Sequence, residues 1–212
     1  MEIIIKNLVK EFEHNKVLDN INLNLKQGKI YGFIGRNGSG KSVLFKIMCG
    51  FYQPTIGEVL CDGKNIHKEN SFLPDTRVLI EKPEFLPDIS GIDNLEMLAK
   101  IQNKINIDEI NETLDLVNLS KEDRLKKYHK YSLGMKQKLG IAQVIMENPQ
   151  IMIFDEPFNG IEEETVDKIK EFLKSINHKD KIIVMASHNK EDIESLCDEI
   201  YRIDGGKCIN IK

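Results

Sequence analysis

Short apolar runs that alternate with a longer helical pattern dominate the hydrophobic profile of the chain. The stretches 30–34, 151–154 and 182–186 are continuously apolar, as in strands that are buried on both faces of a parallel sheet. Between the last two, residues 161–176 carry apolar side chains at helical spacing behind an acidic first turn. Strands that alternate with helices predict an α/β protein built on a mainly parallel sheet.

Two regions depart from this alternation. Residues 2–25 predict a strand, a turn and a second strand, which form an N-terminal antiparallel β subdomain. Residues 89–147 carry three successive helical patterns and predict a helical insertion. We therefore predict one domain over residues 1–212, in which 1–88 and 148–212 form the core and 89–147 form an inserted helical subdomain.

Composition and charge narrow the class of protein. Hydrophobic residues make up 41% and charged residues 30% of the 212 residues, which is ordinary for a globular protein. No apolar run approaches the ~20 residues that span a bilayer, and the first residues do not read as a secretory signal. A net charge of -4 argues against nucleic acid as a partner. The four cysteines lack metal-ligand spacing, so buried thiols in a reducing cytosol are expected.

The clearest chemical motif lies where the first apolar run passes into a helical pattern. Residues 35–42 read GRNGSGKS and fit G-x-x-x-x-G-K-[ST], a phosphate-binding loop. Its glycines let backbone N–H groups turn towards an anion, and the helix start adds a partial positive charge. Lys41 is expected to meet the β- and γ-phosphates, and Ser42 to offer its hydroxyl to Mg²⁺. The predicted nucleotide-binding residues of this segment are Gly35, Arg36, Asn37, Gly38, Ser39, Gly40, Lys41, Ser42 and Val43.

A pair of carboxylates ends the second apolar run. Asp155 and Glu156 directly follow residues 151–154, and adjacent charges at the end of a buried strand are costly without a cation. In P-loop NTPases such an Asp holds Mg²⁺, which is the role predicted for Asp155. A carboxylate beside the metal can orient and deprotonate a water for attack on the γ-phosphate, and we predict that role for Glu156.

In their order along the chain, these motifs resemble those of the ATP-binding subunit of an ABC transporter, over nearly the whole sequence. Residues 35–42 are similar to Walker A, and residues 151–156 to Walker B with its catalytic Glu. The resemblance implies the ABC ATPase fold, a P-loop core with an inserted helical signature subdomain. It implies ATP and Mg²⁺ as cofactors, a separate membrane permease as partner, and a peripheral place on the cytoplasmic face of the cell membrane.

The same resemblance gives roles to three single residues. Phe12 lies where the family has an aromatic side chain that stacks on adenine, and His188 matches the switch histidine that contacts the γ-phosphate. Glu81 stands where most members have Gln, which reaches the metal and the water and couples to the membrane subunit. The predicted catalytic residues are then Glu156, His188 and Glu81, and the predicted metal-site residues are Ser42, Glu81 and Asp155.

Residues 131–137, YSLGMKQ, occupy the place of the family's LSGGQ signature. Ser132 and Gly134 would offer a hydroxyl and a backbone N–H at a helix start, which is a further anion site. In the family this motif closes over ATP held by the other subunit of a head-to-tail dimer. The resemblance thus implies a second ATP-binding subunit, identical or different, whose ATP would contact Ser132, Leu133, Gly134 and Met135. Leu133 departs from the family's usual Gly.

Glu81 and the YSLGMKQ signature together look like the branch that exports bacitracin- or lantibiotic-type peptides and gives self-protection. A soluble ABC ATPase that acts on the ribosome or on DNA is the alternative. Such proteins usually carry two nucleotide domains or long coiled coils, and this chain has one predicted domain without sustained heptads. A domain that only senses or regulates would carry the same motifs.

Overall fold

The computed structural model describes residues 1–13, 15–69, 71–177 and 180–212. The strands in these ranges are β1 (Glu2–Phe12), β2 (Asn15–Lys26), β3 (Lys29–Ile34), β4 (Ile56–Cys61), β5 (Lys64–Asn65), β6 (Thr76–Leu79), β7 (Ile151–Asp155), β8 (Ile182–Ala186), β9 (Glu199–Asp204) and β10 (Lys207–Asn210). The helices are α1 (Lys41–Met48), α2 (Gly91–Gln102), α3 (Ile107–Leu116), α4 (Lys121–Arg124), α5 (Leu133–Ile145), α6 (Glu163–Ile176) and α7 (Lys190–Leu196).

The strands form two sheets. The larger has the order β10-β9-β3-β8-β7-β6, and its pairs are parallel except for β10 against β9. Strands β7 and β8 are buried at every residue, as their continuous apolar sequences predict. The smaller sheet, β2-β1-β4-β5, is antiparallel and contains the two N-terminal strands. The predicted α/β fold with an N-terminal antiparallel sheet is confirmed.

The register of the larger sheet brings three loops to one edge. Phe33 of β3 and Asp155 of β7 both lie opposite Ala186 of β8. Parallel strands leave the sheet at the same edge when they are in register, and ligands of open α/β sheets bind at that edge. The loops that follow β3, β7 and β8 therefore come together there.

Helices α2 to α5 lie between β6 and β7, where the sequence predicts a helical insertion. All four begin at side-chain caps: Ser90 accepts from the backbone N–H of Asp93, Asn106 forms a capping box, and Ser120 and Ser132 cap α4 and α5. Helix α5 packs its apolar face against the others and against the larger sheet. None of the described helices is both long enough and apolar enough to cross a membrane.

Candidate nucleotide-binding site

An open cavity of about 500 Å³ lies at the edge where these loops meet. Of the predicted site residues, Asn37 to Val43, Glu81, Leu133, Asp155 and Glu156 line it. The other predicted residues lie outside this lining: Phe12, Gly35, Arg36, Ser132, Gly134, Met135 and His188. The structure thus places the phosphate loop and both strand-end carboxylates around one space.

The phosphate loop has the backbone that its glycines allow. Gly38 and Gly40 have φ angles of 78° and 106°, in the region that other residues rarely adopt. Helix α1 starts directly after Gly40 without a side-chain cap, so its first N–H groups are free to meet an anion. Lys41 is buried, and its ammonium donates to the Gly35 carbonyl at 2.8 Å, across the loop. A cation and unpaired N–H groups therefore face the same space.

Ser42 and Asp155 are paired at the floor of the cavity. The Ser42 hydroxyl donates to the Asp155 carboxylate, which is buried at the end of β7. Burial raises the pKa of Asp155 above its ordinary value, the Ser42 hydrogen bond opposes this rise, and the neighbouring charge of Glu156 adds to it. A carboxylate that is costly to ionise in this way is a natural partner for a divalent cation.

The donor set fits Mg²⁺ that arrives with a nucleotide. A hydroxyl and a carboxylate are hard oxygen ligands, and Mg²⁺ in proteins is usually held by one or two carboxylates together with substrate phosphates. In the described residues no group of three or more His, Cys, Asp or Glu side chains could hold a metal without such phosphates. Ser42 and Asp155 would hold the ion, and Glu81 lines the same cavity.

Glu156 lies beside this pair in a left-handed backbone conformation, with a φ of 52°. One carboxylate oxygen, Oε2, lies 2.7 Å from His188 Nδ1 and accepts the His188 backbone N–H at 3.1 Å. The other, Oε1, is buried, has no hydrogen-bond partner among the described residues, and lies 4.0 Å from the Lys41 ammonium. A strained backbone and an unpaired buried oxygen are typical of a functional position that a water or ligand completes.

Glu81 follows β6 and also has a positive φ, of 65°. Its side chain is 63% exposed and forms an ion pair with Lys46 of α1. It lines the cavity together with Asp155 but makes no hydrogen bond to that residue. The structure therefore brings Glu81 to the site, and its metal and sensor roles stay predictions.

Phe12 ends β1 and is 40% exposed. Its ring packs edge to face on Tyr52 at 5.9 Å, and the Lys10 ammonium lies 4.7 Å from its centre. Val17, which follows it on β2, lines the cavity instead. A partly exposed aromatic ring can stack on a base, and that role of Phe12 stays a prediction.

The signature residues lie at the start of α5, where Ser132 and Leu133 are exposed and Gly134 and Met135 are half-buried. The Ser132 hydroxyl accepts the Met135 N–H at 3.2 Å, and the Leu133 side chain is 60% exposed. Gly134 packs so closely on the chain after β7 that a Cβ would lie 2.3 Å from the Gly160 carbonyl oxygen. A larger residue at position 134 would displace the segment that follows Glu156.

Beyond the predicted site residues, the structure adds four residues to the cavity lining, of which Val17 is described above. The Gln137 amide donates to the Glu156 backbone carbonyl at 3.1 Å and connects α5 to the backbone of that residue. Lys82 and Asn159 also line the cavity. The sequence places Gln137 in the signature motif, but only the fold shows its hydrogen bond to Glu156.

Replacement of the buried carboxylate should separate stability from function. The raised pKa of Asp155 means that folding disfavours its charge, so this group's contribution to stability grows as the pH falls through that pKa. Asp155→Asn keeps an acceptor for Ser42 without the charge. We expect the melting temperature of the nucleotide-free protein to rise by roughly 2–4 °C, which is about 1 kcal/mol, and Mg²⁺-dependent ATP binding to be lost. Differential scanning calorimetry with a Ser42→Ala control, which should melt lower, tests this; a lower melting temperature for Asp155→Asn would contradict it.

Comparison with known proteins agrees with this geometry. The family model described as ABC transporter matches residues 18–159. The ABC transporter ATP-binding protein YybJ of Bacillus subtilis is 38% identical over 201 residues, which cover 95% of this chain and 92% of YybJ. The bacitracin transport ATP-binding protein BcrA of Enterococcus faecalis is 40% identical over 205 residues, 94% of this chain and 66% of BcrA.

Solved structures show the same fold. The ATP-binding cassette MJ0796, in a dimeric structure, matches with a TM-score of 0.88 at 23% identity, over 99% of each chain. A dimeric structure of that cassette bound to ADP and phosphate matches with a TM-score of 0.86 at 22% identity. The chain belongs to the ABC transporter family, and it is an ABC ATPase.

Proposed function

We propose that this ATPase is the energy-coupling subunit of a membrane transporter and that it hydrolyses MgATP between two ATP-binding subunits. One observation supports this most directly. The phosphate loop, Asp155 and Glu156 line one cavity, whereas Ser132 and Gly134 lie outside it. A single chain thus presents two half-sites, and a head-to-tail pair of subunits would complete both.

Nucleotide binding is assigned to the phosphate loop and the rim above it. The loop N–H groups and the Lys41 ammonium hold the phosphates, and the exposed ring of Phe12 stacks on the adenine. Ser42 and Asp155 would hold Mg²⁺, and Glu81 would reach the metal or its water. When bound, the ion neutralises charge on the β- and γ-phosphates.

Hydrolysis is assigned to Glu156. Its unpaired Oε1 can accept a proton from a water that attacks the γ-phosphate, and the contact of His188 with Oε2 fixes the carboxylate. The other ring nitrogen of His188 is free to contact the γ-phosphate. Gln137 holds the Glu156 backbone from the signature helix, so that helix and base move together.

The second subunit supplies the signature. Ser132 and Gly134 would contact the γ-phosphate of the partner's ATP, and Leu133 and Met135 would flank it. A second copy of this chain suffices as the partner, because one chain carries both the phosphate loop and the signature serine and glycine. Closure of the two copies on ATP is then the step that moves the permease.

A substitution in the signature should abolish turnover without affecting ATP binding to the monomer. In Ser132→Arg a bulky side chain replaces the hydroxyl that we place against the partner's ATP, at a residue outside the cavity that the phosphate loop lines. Equilibrium ATP binding at low protein concentration should match the parent, and turnover should vanish. Since Ser132 also caps α5, Ser120→Arg, which removes the cap of α4, is the matched control and should hydrolyse ATP normally. Loss of monomer binding in Ser132→Arg alone would contradict the assignment.

For the cargo, we propose a peptide antibiotic, exported or kept from the cell by the permease, from a peripheral place on the cytoplasmic face of the membrane. Relatives support this: BcrA is a bacitracin transport protein, and the lantibiotic transport protein SrtF of Streptococcus pyogenes is 32% identical over 97% of this chain and 88% of SrtF. Glu81 and the YSLGMKQ signature also resemble this branch.

Purification from cells separates this function from the soluble alternative. A tagged chain should copurify from detergent-solubilised membranes with one multispanning membrane protein, and loss of the chain's gene should sensitise the cells to bacitracin- or lantibiotic-type peptides. Cosedimentation with ribosomes in place of a membrane protein would favour the alternative.

A further inference from the structure

The ion pair between Lys46 and Glu81 connects the phosphate-loop helix to the loop in which this chain departs from most of its family. Lys46 lies one helical turn after Ser42, so both side chains leave the same face of α1. Its ammonium contacts the Glu81 carboxylate and lies 5.3 Å from the centre of the Tyr52 ring. The Lys46 side chain thus lies between an aromatic ring and a carboxylate, and only 19% of it is exposed.

The Glu81 carboxylate also lies near the predicted metal site. It lines the same cavity as Asp155, and its charge contributes to the raised pKa of that residue, so the two carboxylates are within electrostatic reach. A neutral Gln at this position would need no counterion, whereas a Glu adds a third negative charge beside Asp155 and Glu156. In the nucleotide-free protein Lys46 is the counterion of this charge.

We propose that Lys46 is a positioning residue that neutralises Glu81 and competes with the metal for its carboxylate. In the nucleotide-free protein Lys46 holds Glu81 on α1; when MgATP binds, Glu81 turns to the metal and Lys46 stays against the Tyr52 ring. This inference rests on the proposed metal role of Glu81. The pair can exchange because Glu81 is largely exposed, and solvent weakens an ion pair of that kind.

A double-mutant cycle tests this competition with a binding readout. All variants carry Glu156→Gln, so that hydrolysis does not consume the nucleotide, and the Mg²⁺ concentration that gives half-maximal ATP binding is measured by isothermal titration calorimetry. Lys46→Met removes the charge and keeps the length of the side chain. We expect it to lower the half-maximal Mg²⁺ concentration about two- to five-fold, the range of an exposed ion pair, while Lys46→Arg stays at the parent value.

The decisive comparison is the same substitution in the Glu81→Gln background. If Lys46 acts through Glu81, Lys46→Met should have no effect on the Mg²⁺ dependence there. An equal shift in both backgrounds would mean that Lys46 acts on the phosphates or on the fold, and would overturn the proposal, as would no shift in either. Failure of the proposed function looks different, because the parent protein would then show no Mg²⁺-dependent ATP binding.

Discussion

Glu156→Gln should bind ATP and hydrolyse it at least ~100-fold more slowly than the parent, the usual contribution of a general base. Glutamine keeps the shape of the side chain and an oxygen towards His188, but it cannot take a proton from water. The unpaired Oε1 of Glu156, buried 4.0 Å from the Lys41 ammonium, is the atom that loses this ability. Single-turnover hydrolysis, followed by acid quench, measures the effect on chemistry alone.

Glu81→Gln is the matched control for this experiment. It makes the same chemical change at another residue that lines the cavity, and it restores the residue that most of the family has. We expect it to retain measurable hydrolysis, while Glu81→Ala should lose coupling to the permease. If Glu81→Gln were inactive and Glu156→Gln turned over normally, the two roles would be reversed.

Lys41→Ala should remove most ATP binding. Its ammonium is the buried positive charge of the phosphate loop, and the backbone N–H groups cannot replace it. Loss of a hydrogen bond to a charged group corresponds to an affinity roughly 10- to 100-fold lower. Equilibrium binding of a fluorescent ATP analogue measures the change.

Lys29→Ala controls for the loss of a lysine as such. Lys29 begins β3, at the end of that strand that lies away from the phosphate loop. It forms an ion pair with Glu199, which begins β9. This variant should bind ATP as the parent does. Near-parent affinity in Lys41→Ala would disprove the phosphate-loop assignment.

The sequence was sufficient for the features that local patterns determine. Continuous apolar runs predicted β7 and β8, because a strand covered on both faces has no polar side to show. The motif in residues 35–42 predicted the phosphate loop. The positive φ angles of Gly38 and Gly40 agree with it, because glycine adopts them readily. Asp155 was predictable as a strand-end charge.

Contacts between distant segments were not predictable in this way. Lys46 reads as an ordinary polar residue of α1, and only the fold shows that it meets Glu81, 35 residues later. Helix α6 begins at Glu163, two residues after the predicted start, because the turn at Gly160, with a φ of 75°, carries the chain past the signature helix first. Ile161 fits the amphipathic pattern because its side chain packs against the core. A residue can pack in this way without helical backbone.

Sedimentation velocity of Glu156→Gln tests most directly whether two subunits share the site. Without nucleotide, Glu156→Gln should sediment as a monomer. The double variant Glu156→Gln/Ser132→Arg should sediment as a monomer even with MgATP. With saturating MgATP, Glu156→Gln alone should sediment as a dimer, since ATP that cannot be hydrolysed holds the signature of each copy on the phosphate loop of the other. A monomer at saturating MgATP, with ATP demonstrably bound, would contradict the account.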